Sequence, residues 1–277
     1  MLNIQLYDKI SDRLSREITE QYSTSFSAAT SLLGEEQRQA IYAIYGFVRV
    51  ADEIVDSWRP KDMGFYLDNL KHDVKRATQS GFSPNPVVHS FARAVRKYNI
   101  PQELTEAFMR SMAMDINKKT YTAKDYQTYI YGSAEVVGLM CLMVFVGGNK
   151  RKYAQLLSGA KALGAAFQKI NFLRDLSADS AKLGRMYFPG KDFKKFSEED
   201  KQSIINDISS DLAEAKKAIK KLPKSSRYGV KLAYLNFYYL TKLARKTPAG
   251  ELKKSRISLS KTKKISIFLW VKLSSVF

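Results

Sequence analysis

The chain has 277 residues, 45% of them hydrophobic, which is enough for one continuous core and excludes a disordered chain. Its net charge of +19 is concentrated toward the C-terminus, where seventeen Lys and Arg residues from Lys216 onward face a single acid, Glu251. Such a field attracts phosphate on nucleic acid, anionic lipid or a diphosphate, and it equally describes a solvated tail, so charge alone excludes none of these.

The first twenty residues carry acids and no apolar stretch of the secretion-signal kind. Cys141 is the only cysteine, which rules out an internal disulfide and fits a reducing, cytoplasmic setting. Apolar positions recurring near every 3.6 residues predict helices at 11–30 and 35–57, the second on Ile41, Ile44, Tyr45 and Val48. Helices at 61–79 and 87–98 flank the loop GFSPNP at 81–86. Pro101 suits the first turn of a helix over 101–119, and Thr122 with Asp125 forms a capping box for one over 123–146. Its most apolar run, 136–146, falls short of the roughly 20 residues a bilayer crossing needs, and reads as a buried core helix. Helices at 150–181, 197–221 (started by Ser197 and Asp200) and 226–246 complete the series. No strand competes and no repeat or linker divides the chain, so the expectation is an all-α single domain over 1–250. A basic C-terminal tail, 251–277, ends in ISIFLWVKLSSVF and suits an interfacial segment on a peripheral membrane surface.

Two segments gather carboxylates among apolar neighbours. In FVRVADEIVD, Arg49, Asp52 and Asp56 fall at i, i+3 and i+7 on one helical face; in QKINFLRDLSAD, Gln168, Asn171, Asp175 and Asp179 extend to i+11. A lone D-x-x-x-D is most often a solvated helix face. Two of them, one carrying Asn and Gln on the same stripe, need a cation to offset like charges beside apolar side chains. Hard carboxylate and amide oxygens suit Mg2+ that also binds substrate phosphates. Arg174 pairs with a neighbouring acid and receives no catalytic role. His72 and His89 are too few for a zinc site, and P-loop, dinucleotide-binding and nucleophile-elbow patterns are absent. The basic residues match no nucleic-acid-binding motif, so no nucleic acid is expected as partner.

Taken in order, YSTSFSAATSLL, RVADEIVD, YIYGSAEVVG, QKINFLRDLSAD and GRMYFP resemble the squalene and phytoene synthase family over nearly the full chain. The resemblance implies an isoprenoid-synthase-type helical bundle around a central cavity. It implies Mg2+ or Mn2+ held by Asp52, Asp56, Asn171, Asp175 and Asp179. Diphosphate contacts are implied for Ser23, Ser25, Arg49, Gln168, Arg185 and Tyr187, with Tyr239, Arg256 and Lys264 closing over the substrate. Tyr129 is expected in the catalytic set. Tyr22 and Thr24 stand where many relatives carry His and Lys, and Glu135 replaces a usually small residue.

The implied reaction is head-to-head condensation of two geranylgeranyl diphosphates through a cyclopropyl diphosphate to phytoene. Its carbocations require a dry cavity, with Phe26, Tyr45, Phe47, Tyr129, Tyr131, Met140 and Phe167 as candidate lining. The alternative donor is farnesyl diphosphate, giving dehydrosqualene or, with NADPH, squalene; a non-catalytic assembly factor is the remaining alternative. Oligomeric state is left open.

Overall fold

The computed structural model describes residues 3–58, 61–118, 120–178 and 185–274, and these form helices joined by short turns. Among them the only extended pairing is a single parallel bridge between Thr120 and Met186. Where a single helix is expected at 11–30, α1 (Ile4–Tyr22) and α2 (Thr24–Thr30) meet at Ser23, whose extended backbone ends one helix while its hydroxyl accepts from the Phe26 amide to start the next. α3 (Glu35–Asp52) runs without interruption into a π-helical turn, Glu53–Trp58. α4 (Met63–Ser80), α5 (Pro86–Tyr98) and α6 (Gln102–Asn117) follow, with Asn85 capping α5 and Pro101 at the cap of α6 rather than inside its first turn.

The Thr122–Asp125 capping box opens α7 (Ala123–Ile130), and a second π-helical turn, Tyr131–Glu135, leads into α8 (Val136–Phe145). By composition this continuous stretch, Ala123–Phe145, is long and apolar enough to span a bilayer. Its second half is instead core: Val136, Met140 and Val144 are fully enclosed. α9 (Lys150–Arg174) stops at Asp175, seven residues before the expected end, and a single turn, α10 (Leu176–Ala178), follows. α11 (Glu198–Ile219) starts on the Ser197–Asp200 capping box, and α12 (Lys224–Lys246) packs beside it. The basic 251–277 segment is not featureless. After α13 (Ala249–Leu252), α14 (Lys261–Leu273) buries Ile267 and Val271 against Ala29 and Leu232 of α2 and α12.

Two apolar clusters carry the bundle. One joins α3 to α6 and α8 through Phe47, stacked on Phe91 at 4.2 Å and edge-on to Phe108 at 5.4 Å. The other joins α7, α9, α11 and α12 around Ile170, Leu173, Ile205 and Ile208. Between them, α9 approaches its neighbours closely because it carries glycines. A Cβ on Gly159 would lie 2.1 Å from Ala218 Cβ on α11, and one on Gly164 only 2.5 Å from the Ala134 carbonyl oxygen in the second π turn.

Gly159→Ala therefore sets two effects against each other. Alanine gains about 1 kcal/mol of helix propensity, whereas overpacking costs about 1–3 kcal/mol, and an approach of 2.1 Å demands separation of whole helices. We expect net destabilisation of roughly 1–2 kcal/mol in urea unfolding; a variant at least as stable as the parent would show that the α9–α11 contact is not tight.

Candidate active site

A cavity of about 660 Å³ lies between α2, α3, α8, α9, α11 and α12. Its wall follows α3 from Asp52 and Arg49 back through Tyr45 to Ile41, and α9 from Asn171 and Gln168 back through Phe167 to Leu156. At 1.5 Å per residue these paths cover about 16 and 22 Å, polar at the C-terminal ends of both helices and apolar beyond. Ser23 and Ser25 enter from the α1–α2 break, Arg256 from the segment leading into α14, and Lys264 from the first turn of α14. A second, solvent-open cleft of about 730 Å³, beside Tyr66, Asp73 and Arg76, contains none of the motif carboxylates.

The first acidic motif straddles a change of helix type. The π turn begins at Glu53, so Asp52 and Asp56 do not share one α-helical register. Asp52 faces the cavity with 29% of its side chain exposed, 4.0 Å from Arg49, which is also ion-paired with Glu53 and lies over the Tyr22 ring at 4.3 Å. Burial, and then the nearby Asp56 carboxylate, push Asp52 up to about 8. Asp56 accepts from Arg185 at 2.6 Å. In the second motif Asp175 is bound by Arg174 at 2.5 Å and Arg256 at 2.6 Å, guanidiniums of two cavity-wall residues. Asn171, on the cavity wall, has a buried Oδ1 without a hydrogen-bond partner. Asp179 lies outside the described residues.

Behind Asp56 sits a layer of buried polar groups. Asp115, 3% exposed, accepts from Tyr129 at 2.6 Å, Tyr121 at 3.1 Å and Tyr187 at 3.4 Å. Burial raises its carboxyl to about 6, with Arg185 and the Tyr129 and Tyr121 hydroxyls pulling the other way. Burial also raises Tyr129 and Tyr121, and the Asp115 charge adds to it. Arg185 donates to the Asp115 carbonyl at 2.7 Å and to Tyr187 at 3.2 Å; burial opposes its charge, but Asp115, Tyr187 and Asp56 together leave it raised.

Of the residues singled out in the sequence, Ser23, Ser25, Arg49, Asp52, Gln168, Asn171, Arg256 and Lys264 come together on the cavity wall. Asp175 joins them through Arg256, and Asp56 through its helix. Arg185, Tyr187 and Tyr129 form the layer behind. Tyr239 lies off the wall, between α12 and α14, with Lys263 over its ring at 4.0 Å. Among the expected lining residues Phe26, Tyr45 and Phe167 line the cavity, whereas Phe47, Tyr129 and Met140 belong to the packed interior and Tyr131 packs half-buried against it. Asp115, Tyr121 and Phe237 were missed, whereas Arg174 pairs with a neighbouring acid, Asp175, as expected. A signal for Asp115 existed: with Leu104, Phe108 and Ser111 it continues the buried stripe of α6, where an acid has no place unless a partner awaits it. Phe237 stacks on Phe167 at 3.7 Å across the cavity wall.

The donors fit a hard divalent cation. Carboxylate oxygens of Asp52 and Asp56 repel one another, and Asn171 Oδ1 is a buried acceptor with no protein donor, the combination that cation coordination would satisfy. Among the described residues no three acidic, His or Cys groups already close around one point, since arginines hold Asp56 and Asp175.

A sequence model of the squalene/phytoene synthase family matches residues 19–263. The chain is 32% identical over 177 residues to the phytoene synthase of Rhodobacter capsulatus, covering 63% of this chain and 50% of that one, so the match spans half the relative's length. It is 28% identical over 200 residues to the 4,4'-diapophytoene synthase of Staphylococcus haemolyticus, covering 70% and 66%. The crystal structure of a dehydrosqualene synthase in complex with ligand superposes with a TM-score of 0.81 over 99% of each chain at 22% identity, which establishes a common fold.

A raised carboxyl has a definite consequence for stability. Between its ordinary value near 3.8 and about 8, Asp52 holds a proton in the metal-free folded chain that the unfolded chain releases. Its contribution is thus complete below the lower value and lost as pH rises through the upper one, by at most about 1.4 kcal/mol per pH unit. Asp52→Asn should flatten that part of the profile and raise the melting temperature at the alkaline end. Parallel melting curves for the two proteins across this range would contradict the assignment.

Proposed function

This chain belongs to the squalene/phytoene synthase family, and we propose that it joins two geranylgeranyl diphosphates head to head, through a cyclopropyl diphosphate, to give phytoene. The observation that carries the reading is one cavity lined by Arg49, Asp52, Gln168 and Asn171, whose α9 wall turns apolar from Phe167 back to Leu156, about 22 Å from Asn171, matching a molecule with a diphosphate head and a long hydrocarbon tail. Asp52, Asp56, Asn171 and Asp175, with Asp179 from the second motif, would hold Mg2+ or Mn2+. Bound there, the cations supply positive charge to the departing diphosphate. Arg49, Arg256 and Lys264 stand on the same wall to bind its oxygens, with Ser23 and Ser25 as hydroxyl donors. The stacked pairs Phe26–Tyr45, at 4.9 Å, and Phe167–Phe237 exclude water and present π faces to an allylic cation.

Farnesyl diphosphate is the second reading, favoured by the similarity to a 4,4'-diapophytoene synthase over 70% of the chain. Incubating the purified chain with Mg2+ and either donor, with and without NADPH, separates the readings by product mass. Phytoene from the C20 donor without NADPH is expected. A product from the C15 donor alone would replace the donor assignment, and no product from either would remove the reading. Asp52→Asn should lower turnover by at least about a hundredfold, the scale of losing a group that stabilises transition-state charge.

The same reading puts the enzyme in the cytoplasm with α14 docked on an anionic lipid surface, where so apolar a product can leave. α14 buries Ile267 and Val271, yet leaves Ile265, Leu269, Trp270 and Leu273 between 51% and 62% exposed. Lys231 lies 4.3 Å over the Trp270 ring, and Lys261, Lys263, Lys264 and Lys272 share the helix, so charge and apolar area together fit anionic headgroups over acyl chains. Trp58 and Trp270 are the only tryptophans, so in a Trp58→Phe background Trp270 emission reports this contact alone. We expect a blue shift and flotation with phosphatidylglycerol vesicles at low salt, both lost in Leu269→Ser/Trp270→Ser. Neither signal with those vesicles, or self-association through the same residues in their absence, would reject lipid as the occupant.

A further inference from the structure

Arg185 is a buried cation serving two acids. Its side chain is 2% exposed and lies between Asp56, at 2.6 Å, and Asp115, whose carboxylate is 3.6 Å away. The two acids differ in setting. The Asp56 side chain is 39% exposed, whereas that of Asp115 is 2% exposed and surrounded by tyrosine hydroxyls. The net field at either carboxylate is the guanidinium's attraction less the repulsion from the other carboxylate.

We propose that Asp115 is a positioning residue that acts through Arg185: its fixed negative charge offsets the guanidinium, leaving Asp56 free enough to take a divalent cation. The proposal rests on the metal reading given above and adds to it a group that touches neither metal nor substrate. Without the Asp115 charge, the whole field of Arg185 falls on Asp56. The ion pair tightens, and an approaching cation meets an uncompensated positive charge.

The geometry also indicates why this charge comes from a buried aspartate. The Tyr129, Tyr121 and Tyr187 hydroxyls and the β-bridge at Thr120–Met186 tie together the end of α6, the residues before α7 with its last turn, and the stretch after the second acidic motif. Arg185 is thereby held by backbone as well as by charge, through the carbonyls of Asp115 and Val55. A simple packing role would bind these segments just as well with a neutral side chain, so the two roles separate on substitution.

Mn2+ alone, titrated into the full chain and followed by the electron paramagnetic resonance of the free ion, tests the proposal without substrate or turnover. Asp115→Asn removes the charge and keeps one oxygen acceptor, its NH2 replacing the other against a tyrosine hydroxyl that can accept in turn; it should weaken Mn2+ binding roughly tenfold. Tyr121→Phe keeps the charge and removes one contact, and should bind Mn2+ within about twofold of the parent. Arg185→Gln removes the competitor for Asp56 and should tighten Mn2+ binding, a result of opposite sign that stands even if Asp115→Asn fails to fold. Equal affinity in parent and Asp115→Asn, an equal loss in Tyr121→Phe, or no gain in Arg185→Gln overturns the role given to Asp115. Absence of Mn2+ binding by the parent chain would overturn the metal reading as well.

Discussion

Negative charge inside an apolar bundle is the constraint around which the rest of this structure is arranged. An ionised carboxylate taken from water costs several kcal/mol unless a partner compensates it. Each described acid of the two motifs has an arginine beside it: Arg49 for Asp52, Arg185 for Asp56, Arg174 and Arg256 for Asp175. Each of these pairs also ties down chain. Arg185 links the stretch after the second motif to the π turn that follows α3 and to α6, and Arg256 brings the segment before α14 across to the end of α9. The fold closes where its charges are neutralised.

This resolves an apparent contradiction in a chain of such high positive charge. The excess of Lys and Arg over Asp and Glu serves two different ends. Arg185 and Arg174 are drawn inward as counterions to the motif acids, while the lysines of 216–277, apart from Lys264 on the cavity wall, set the long-range field. Inward charges act at contact distance and decide geometry. Outward ones are screened beyond roughly 8–10 Å of saline, and influence encounter with anionic surfaces and substrates.

Helix existence was legible in the sequence because it follows from the spacing of apolar positions, and the capping boxes at Thr122 and Ser197 fixed two starts to the residue. Three features were not. Ser23 divides the first expected helix through a single side-chain cap, a local hydrogen bond invisible to periodicity. The π turns at Glu53 and Tyr131 keep the helical spacing of apolar residues while changing angular register, so Asp52 and Asp56 were assigned one face when they meet different partners. α14 has apolar residues on both its buried and exposed sides, so its composition reads as a tail rather than an amphipathic element. The cavity-wall residues were found because charge and amide groups stand out on apolar helices. The tyrosine layer around Asp115 was only half seen, since tyrosines at helical spacing resemble ordinary core.

Two of the three departures from the family pattern, Tyr22 and Glu135, acquire physical meaning from what surrounds them. Tyr22 lies at the mouth beside Arg49, whose guanidinium sits over its ring at 4.3 Å. An aromatic face there steadies the cation that stands next to Asp52, a service a charged histidine could not give without repulsion. Glu135 ends the second π turn, half-buried, with burial raising its carboxyl and Lys161 of α9 3.9 Å away drawing it back. It does not line the cavity, although its neighbour Ala134 does. Its effect on the pocket is therefore indirect. Gly164 approaches the Ala134 carbonyl because α9 presses against this turn, and the Glu135–Lys161 pair adds an electrostatic tie across the same contact. Both substitutions are accommodated by a neighbour on an adjacent helix, and each leaves the opposed stripes of α3 and α9 facing one cavity.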